Sequence, residues 1–233
     1  TPHFIAGAAG VANRKVTSAV QQTSVYLQDQ LSFGPMVDLV VGLRYDRFDL
    51  TLTNLFDGSL LSRVDDLWSP RAGLVVKPAE NASLYVSYTK SFLPQSGDQF
   101  TSLDATTAAL DPEAFDNYEI GAKWDIRPTL SFTAALYQLD RTNTRAAGAT
   151  PGLIVLTGAQ RSKGAEISLV GHVTDAWQAS FGYGYTKAQI TSTTSAAPKG
   201  RAAAQVPRHQ LSLWNRYDLT KRFGLGLGLY HQS

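Results

Sequence analysis

Few residues in this sequence have the type and spacing that catalysis or metal binding would require. Its four histidines, His3, His172, His209 and His231, are isolated and show no metal-ligand spacing. Cysteine is absent, which excludes disulfide scaffolds, Cys-ligated zinc and Cys nucleophiles. No G-x-S-x-G, Walker-type or HExxH motif occurs. The sequence therefore predicts neither an enzyme nor a metal or cofactor site.

Two further runs match short motifs, and each has a simpler explanation. The run GLGLGL at 224–229 is as rich in glycine as a nucleotide-binding loop, but its strict alternation with leucine is a strand pattern. The triplet Asn81–Ser83 formally matches a glycosylation acceptor, but it lies in a predicted short turn. Neither run predicts a functional site.

The composition fits a protein that shows much of its surface to something other than water. Charged residues make up 17% of the 233 residues, below the quarter or so that is typical of soluble domains. The net charge of +2 gives no electrostatic reason to expect nucleic-acid binding. No apolar run approaches the roughly 18 residues of a spanning helix, and no signal-peptide pattern starts the chain. We expect the chain to be a fragment, since it starts without Met and stops inside an alternating run.

Segments of alternating polarity recur along the chain and predict about ten β-strands. The connections between them alternate in length, short then long, which describes an antiparallel up-and-down meander. Membrane β-barrels show this asymmetry, with short periplasmic turns and long extracellular loops, whereas soluble sandwiches use Greek keys. The pattern favours a membrane barrel over a soluble sheet. The predicted strands are 23–33, 38–50, 67–77, 83–92, 115–126, 130–143, 161–173, 177–190, 208–219 and 223–232.

The two faces of the predicted strands differ in polarity, but alternation alone does not say which face meets which environment. In NYEIGAKWDI (117–126) every second residue from Tyr118 is apolar, and the residues between them are polar, charged or Gly. In a barrel the apolar set would face lipid and charged residues would line a wet lumen: Arg44, Asp46, Glu119, Lys123, Glu166 and Arg216.

Aromatic residues gather towards the strand ends, where Tyr and Trp favour a membrane–water interface. Two segments leave the choice of face open. In 24–33, Asp29 shares a face with apolar residues, and 130–141 can be phased two ways. The aromatic residues concerned are Tyr45, Phe92, Tyr118, Trp124, Tyr137, Trp177, Tyr185 and Tyr217.

With its strands laid out, the sequence resembles the barrel of a TonB-dependent siderophore receptor of the ferrichrome type. The resemblance covers nearly the whole chain and rests on the order of the runs, since no single run is diagnostic. The matching runs are SVYLQDQLSF, LVVGLRYDRFD, SPRAGLVVKP, SLYVSYTKSFLPQSG, LDPEAFDNYEIGAKWDI, LSFTAALYQLDRTN, RSKGAEISLVGHVTDAW, GYGYTKAQI and VPRHQLSLWNRYDL.

This resemblance implies an all-β fold, a partial transmembrane barrel of about ten of 22 strands. Residues 1–233 would then be one fragment of a barrel domain whose plug, early strands and closing strands are missing. The implied function is energised uptake of a ferric siderophore across the outer membrane. The implied partners are that chelate, the TonB–ExbB–ExbD complex acting through the plug, and outer-membrane lipid and lipopolysaccharide around a monomeric barrel.

Ligand recognition in such a receptor would lie at the loop end of the barrel, where aromatic and hydrogen-bonding side chains suit a bulky chelate. Each candidate has an alternative role, since the aromatic residues could belong to the interfacial girdle and the cations could meet solvent or lipopolysaccharide. The candidates are Phe92, Gln95, Phe100, Phe115, Tyr118, Arg161 and Lys163.

Two other functions remain open at this stage. One is a passive porin, or a TonB-dependent receptor for another substrate such as cobalamin or a sugar. The other is a soluble β-sheet binding module or adhesin. About ten of 22 strands cannot close a barrel, so we expect the first and last strands to be open edges and the fragment alone not to insert stably.

Overall fold

The protein is an open antiparallel sheet of ten strands joined in sequence order. A computed structural model describes residues 15–94, 110–147, 154–193, 198–203 and 206–233. Within these ranges, no helix is long and apolar enough to cross a membrane. The strands are β1 (Val16–Phe33), β2 (Val37–Asn54), β3 (Leu60–Ala79), β4 (Ala82–Leu93), β5 (Glu113–Arg127), β6 (Leu130–Ala147), β7 (Ile154–Thr174), β8 (Trp177–Ile190), β9 (His209–Thr220) and β10 (Phe223–Gln232).

All ten predicted strands are present, but several extend further at the loop end than the sequence suggested. The stretch 53–66 was predicted as a long loop, and this is wrong, because β2 and β3 continue pairing up to Thr53 and Leu60. A short turn at 55–59 joins them, with Gly58 at φ +71°. Here the apolar residues are no longer confined to the outward face. Leu50, Leu52 and Leu61 face inward and pack together, so the outward alternation does not reveal this part of the strands.

Along most of the sheet, alternation places apolar residues outward and polar or small residues inward. On β5, Tyr118, Ile120 and Trp124 are exposed on the outward face, while Gly121 on the inward face is buried. Residues directly opposite each other on neighbouring strands lie on the same face of the sheet. The outward and inward residues of β4 and β6 can therefore be assigned from their pairing with β5. The outward apolar band is the surface that hydrocarbon would cover.

The pairing settles the two segments whose phase was open. Asp29 lies opposite Val41 and so shares the outward face with its apolar neighbours. On β6, Phe132 and Leu136 lie opposite Trp124 and Ile120 and face outward. The prediction that Tyr137 belongs to the interfacial aromatic residues is wrong. It lies opposite Glu119 and faces inward, where it covers Gly164.

Outward-facing aromatic residues form a row near the loop end. Pairs of rings lie across neighbouring strands, at centroid distances of 4.8 Å for Tyr45 and Trp68 and 5.1 Å for Tyr88 and Tyr118. On β8, Tyr185 packs at 5.2 Å from the ring of His209. A second outward group, which includes Trp124, Trp177 and Tyr217, lies near the short turns. Two such belts flank the apolar band of a membrane barrel.

The sheet does not close in this part of the molecule. Within the described ranges, β1 pairs only with β2 and β10 only with β9, so their outer edges have no neighbour. This agrees with the expectation of open edges. Unpaired backbone groups are costly in hydrocarbon, so both edges require further strands in the membrane.

Candidate functional site

The predicted binding residues separate into two groups by the face on which they lie. Phe92, Tyr118, Arg161 and Lys163 face outward, because they pair with outward residues of neighbouring strands. Phe115 faces inward, opposite Arg141. The predictions for Gln95 and Phe100 lie outside the described residues. The structure therefore does not gather the candidates into one site.

Phe115 is part of an inward cluster near the loop end, which we call the rim cluster and define as Glu113, Phe115 and Arg141. The Arg141 guanidinium carbon lies 5.4 Å from the centre of the Phe115 ring. Arg141 also donates two hydrogen bonds to one carboxylate oxygen of Glu113, at 2.5 and 2.9 Å. Glu113 is only 7% exposed. The carboxylate holds the guanidinium in place, and the ring offers an aromatic face beside it.

Sequence reasoning missed Glu113 and Arg141. Neither residue lies in a motif, and they are 28 positions apart in the chain. Pairing residues outward from the tight turn at 127–130 would place Arg141 opposite Phe115. This requires knowledge of the register shift near Arg127, which the sequence does not reveal. Cross-strand neighbours of this kind depend on register, which alternation does not reveal.

A second inward network lies on β1 and β2. Arg44 donates to both oxygens of Asp46, at 2.7 and 2.8 Å. Asp46 also accepts from the Ser24 hydroxyl at 2.6 Å and from the Gln22 amide at 3.0 Å. Four donors on one carboxylate leave little capacity for a ligand. We regard this network as a fixed part of the wall, and it confirms that Arg44 and Asp46 face the lumen.

An inward groove of about 410 Å³ crosses the middle of the sheet. Its walls include Glu119, Lys123 and Glu166, three charges predicted to face the lumen. The Tyr85 hydroxyl donates to Glu119 at 2.6 Å, and the Lys123 ammonium lies 5.7 Å from the centre of the Tyr85 ring. These groups can hydrogen-bond and ion-pair with whatever occupies the lumen.

Tyrosines on the inward face lie over glycines of the adjacent strand. A Cβ added to Gly121 would come within 2.5 Å of the Tyr85 ring, and one added to Gly164 within 2.5 Å of the Tyr137 ring. The Tyr137 hydroxyl also hydrogen-bonds with that of Thr186 at 2.8 Å. The missing side chain lets each ring lie flat along the wall.

The β2–β3 turn carries a fixed negative charge. The hydroxyl and backbone amide of Ser59 donate to Asp57 and hold the pKa of its carboxyl below the ordinary value. Asp57 is therefore ionised at neutral pH.

These groups can recognise a ligand through charged, hydrogen-bonding and aromatic contacts. Across the described ranges, no group of three His, Asp or Glu side chains could hold a metal ion. Several inward charges pair with one another, as Arg44 does with Asp46 and Arg141 with Glu113, and tyrosines and serines supply further polar contacts.

Comparison with known proteins finds relatives that all belong to one family. The family model described as TonB dependent receptor-like, beta-barrel, matches residues 3–233. A probable TonB-dependent siderophore receptor, PiuA of Acinetobacter baumannii, is 31% identical over 93% of this chain. The ferrichrome outer membrane transporter/phage receptor of Escherichia coli is 31% identical over 87% of the chain. The chain spans 32% and 26% of the lengths of these two relatives.

Solved structures agree with the sequence comparison. The crystal structure of the PiuA siderophore receptor superimposes with a TM-score of 0.83 at 30% identity, covering 93% of this chain and 34% of that one. The ferric-catecholate import receptor Fiu of E. coli, in its closed form, gives a TM-score of 0.80 over 92% of this chain. At 24% identity, Fiu supports the fold alone.

Proposed function

Because the chain belongs to the TonB-dependent receptor β-barrel family, we propose that it is part of a receptor that takes up a ferric siderophore with energy delivered through TonB. The chain is a stretch of outer-membrane barrel wall, with short turns on the periplasmic side and loops on the extracellular side. The observation that carries the proposal is the 31% identity to a probable siderophore receptor, sustained over 93% of the chain.

The division of the wall into two faces supports a transport role. A passive porin needs a lumen open to water, whereas a plugged receptor needs an inner wall that can hold a folded occupant. The inward face carries polar groups around its central groove, such as Tyr85 with Glu119 and the nearby Lys123, that can pair with such an occupant. The family consists of transport receptors, and we expect no catalysis.

The test is iron uptake by the full-length receptor in cells that lack their other siderophore receptors. We expect growth under iron limitation, and uptake of radioactive iron, with at least one ferric siderophore of a panel. Both should be lost in a strain that lacks TonB. Uptake that persists without TonB would indicate a passive porin. Uptake of cobalamin or a sugar, with no response to any siderophore, would assign another substrate.

The rim cluster is the part of this wall that we propose contacts the chelate. Phe115 supplies an aromatic surface, and Arg141 supplies a cation that can meet the anionic groups of a ferric siderophore. Outward orientation supports the girdle or lipid role for Phe92, Tyr118, Arg161 and Lys163. Gln95 and Phe100 stay as predicted loop contacts.

Two arginines of the wall allow a matched test of this site. Arg141 faces inward and pairs with Glu113 at 2.5 Å, whereas Arg161 faces outward and pairs with Asp140 at 2.5 Å. We expect Arg141→Gln in the full-length receptor to weaken ferric-siderophore binding by about tenfold, the loss of one charged contact of roughly 1.5 kcal/mol. Arg161→Gln should leave binding unchanged. Equal effects of the two changes would contradict the assignment.

A further inference from the structure

We propose that Trp214 is the centre of a second contact site for the cargo, midway along the inner wall, and that this site takes aromatic groups of a ferric catecholate. The inference rests on the proposed function, because it requires a ferric chelate to pass through this barrel. The site, which we call the inner aromatic site, consists of Trp214 and Arg216 on β9 and Tyr230 on β10.

Trp214 differs from the other tryptophans of the chain in the face on which it lies. All four tryptophans lie in the described ranges, and Trp214 is the one that faces inward, opposite Ser180. An outward tryptophan suits the membrane interface, whereas an inward one does not contact lipid. Trp214 therefore requires another explanation. The three outward tryptophans are Trp68, Trp124 and Trp177.

The indole ring of Trp214 lies over β10, in space that two glycines leave open. A Cβ added to Gly226 would come within 3.0 Å of the ring, and one added to Gly228 within 2.8 Å. Strand β10 thus supports the ring from one side. Trp214 is nevertheless 51% exposed, so much of its aromatic surface is open to the lumen.

The polar group of Trp214 is also free. Among the described residues, its indole N–H has no hydrogen-bond acceptor and its ring has no aromatic partner. The indole N–H of Trp177, by contrast, donates to Asn215 at 3.1 Å, and the inward hydroxyls of Tyr85 and Tyr137 are hydrogen-bonded. A tryptophan N–H usually finds a partner once it is covered. Trp214 therefore offers a ring surface and a donor to a ligand.

Two neighbours of Trp214 add further chemistry to the inner aromatic site. Arg216 lies on the same face, one inward position nearer the short turn, and its guanidinium pairs with Asp218 at 3.0 Å while staying exposed. Tyr230 lies diagonally across the β9–β10 pair, within reach of an aromatic ligand at Trp214. Indole, phenol and guanidinium groups together suit flat, anionic, oxygen-rich rings. Catecholate groups have these properties.

The inner aromatic site lies deeper in the barrel than the rim cluster. Trp214 is six residues before the end of β9 at Thr220, whereas Phe115 is 12 residues before the end of β5 at Arg127. Both strands end at short turns, so these separations correspond to roughly 20 and 40 Å along the strands. A chelate that leaves the rim cluster for the periplasm has to pass the depth of Trp214.

The wall around Trp214 suits a passing ligand better than a folded occupant of the lumen. A folded occupant needs hydrogen-bond partners for its polar groups, and the charged side of the central groove supplies them with Glu119, Lys123 and Glu166. The inward residues beside Trp214 supply few such partners. They are Ser180, Ser212, Gly226 and Gly228.

The experiment compares variants of the full-length receptor in cells that lack their other siderophore receptors. Trp214→Leu keeps bulk over β10 but removes the aromatic surface and the N–H, and Trp214→Phe restores an aromatic ring. Gly184→Leu and Gly73→Leu form a matched pair, since both glycines face inward and an added Cβ at either would meet nothing closer than 3.6 Å. Gly184 lies beside β9 on the loop side of Trp214, whereas Gly73 lies on β3.

The probes are a ferric tris-catecholate and a ferric trihydroxamate, both carrying radioactive iron. Binding to cells without TonB measures contact at the rim, and the initial uptake rate in cells with TonB measures passage. We expect Trp214→Leu to bind the catecholate normally but to take it up about fivefold more slowly, the effect of one lost aromatic contact. Trp214→Phe should retain most of the wild-type rate. Uptake of the trihydroxamate, which has no aromatic ring, should not change in Trp214→Leu.

The glycine pair tests the position of the path independently of Trp214. Gly184→Leu should slow uptake by at least about fivefold because it narrows the approach to Trp214, and Gly73→Leu should stay within about twofold of the wild type. Urea midpoints of the purified receptors separate a folding defect from a transport defect.

Several outcomes would overturn the inference. These are unchanged catecholate uptake in Trp214→Leu, equal slowing of the two chelates by that variant, and equal losses in Gly184→Leu and Gly73→Leu. Leakage of a large antibiotic through Trp214→Leu without TonB would show that Trp214 holds the occupant of the lumen instead. A wild type that takes up only the trihydroxamate contradicts this inference alone, whereas one that takes up no ferric siderophore contradicts the proposed function.

Discussion

The two halves of this sheet share one architecture and carry opposite charge. Up to Asp140 the chain has ten Lys or Arg and 16 Asp or Glu; after it there are 11 Lys or Arg and three Asp or Glu. The antiparallel pairing continues in sequence order through both halves, although the strands shorten from 18–20 residues in β1–β3 to 10–14 residues in β8–β10. The apolar alternation therefore specifies the strands of the barrel wall in both halves. The charge of the residues can differ between the halves without changing that fold.

The largest expected loss of stability tests whether the outward face of both halves contacts the hydrocarbon of the bilayer. Ile120 on β5 and Ile167 on β7 face outward between the aromatic belts. Replacing either with Arg should destabilise the full-length barrel by about 2–4 kcal/mol, the cost of a cation near the bilayer midplane. Urea unfolding in lipid vesicles would measure it. Ser168→Arg, on the inward face beside Ile167, should cost far less, and a comparable cost there would contradict the assignment of faces.

A smaller loss of stability should distinguish glycine substitutions on the inward face of the second half from those of the first half. A Cβ at Gly164 would meet both the Tyr137 ring and the backbone carbonyl oxygen of Tyr185, each at 2.5 Å, whereas one at Gly121 would meet only the movable end of Tyr85. Gly164→Ala should therefore cost about 1–3 kcal/mol, and Gly121→Ala less.

Gly184 provides the control for this comparison. It lies opposite Glu166 on the same inward face, and an added Cβ would meet nothing within 4 Å. Gly184→Ala should leave the urea midpoint unchanged or raise it slightly, since alanine restricts the unfolded chain. A loss of stability equal to that of Gly164→Ala would show that the close contacts are not the cause.

The smallest effect concerns the rim ion pairs. Arg47 and Asp66 are each about half exposed and lie 3.2 Å apart. Asp66→Asn should change the free energy of unfolding by less than about 1 kcal/mol, because exposed pairs contribute little. Urea unfolding in lipid vesicles would measure the change, and a loss of stability as large as that of Ile120→Arg would contradict the prediction.

Alternation predicted the fold because a membrane wall needs an apolar residue at every second position. It did not predict the parts of the strands that extend beyond the bilayer, where no lipid contacts the outward face. At the loop end of β2 and β3, Leu52 and Leu61 pair across the sheet on the inward face, where they pack against each other instead of meeting lipid. Tyr137 was assigned to the wrong face for a related reason. A tyrosine suits either the membrane interface or an inward position beside a glycine, and only the strand register distinguishes the two.

The binding site was less predictable than the wall. Residue type alone made Phe92 and Phe115 equal candidates, yet they lie on opposite faces. Arg141 gains its role from Phe115 across the sheet and from Glu113 beside it, neither of which is near it in sequence. Such sites depend on side-chain neighbours, which the order of motifs does not specify.

The tyrosines that lie over glycines have a consequence for the bore of the barrel. A tyrosine standing upright on the inner wall would project towards the axis and narrow the passage. Tyr85 and Tyr137 instead lie along the wall, in the space left by the absent side chains of Gly121 and Gly164. Their hydroxyl groups are turned sideways, towards Glu119 and Thr186, and do not point at the barrel axis. The two rings therefore take up little of the width of the lumen beside β4 to β7.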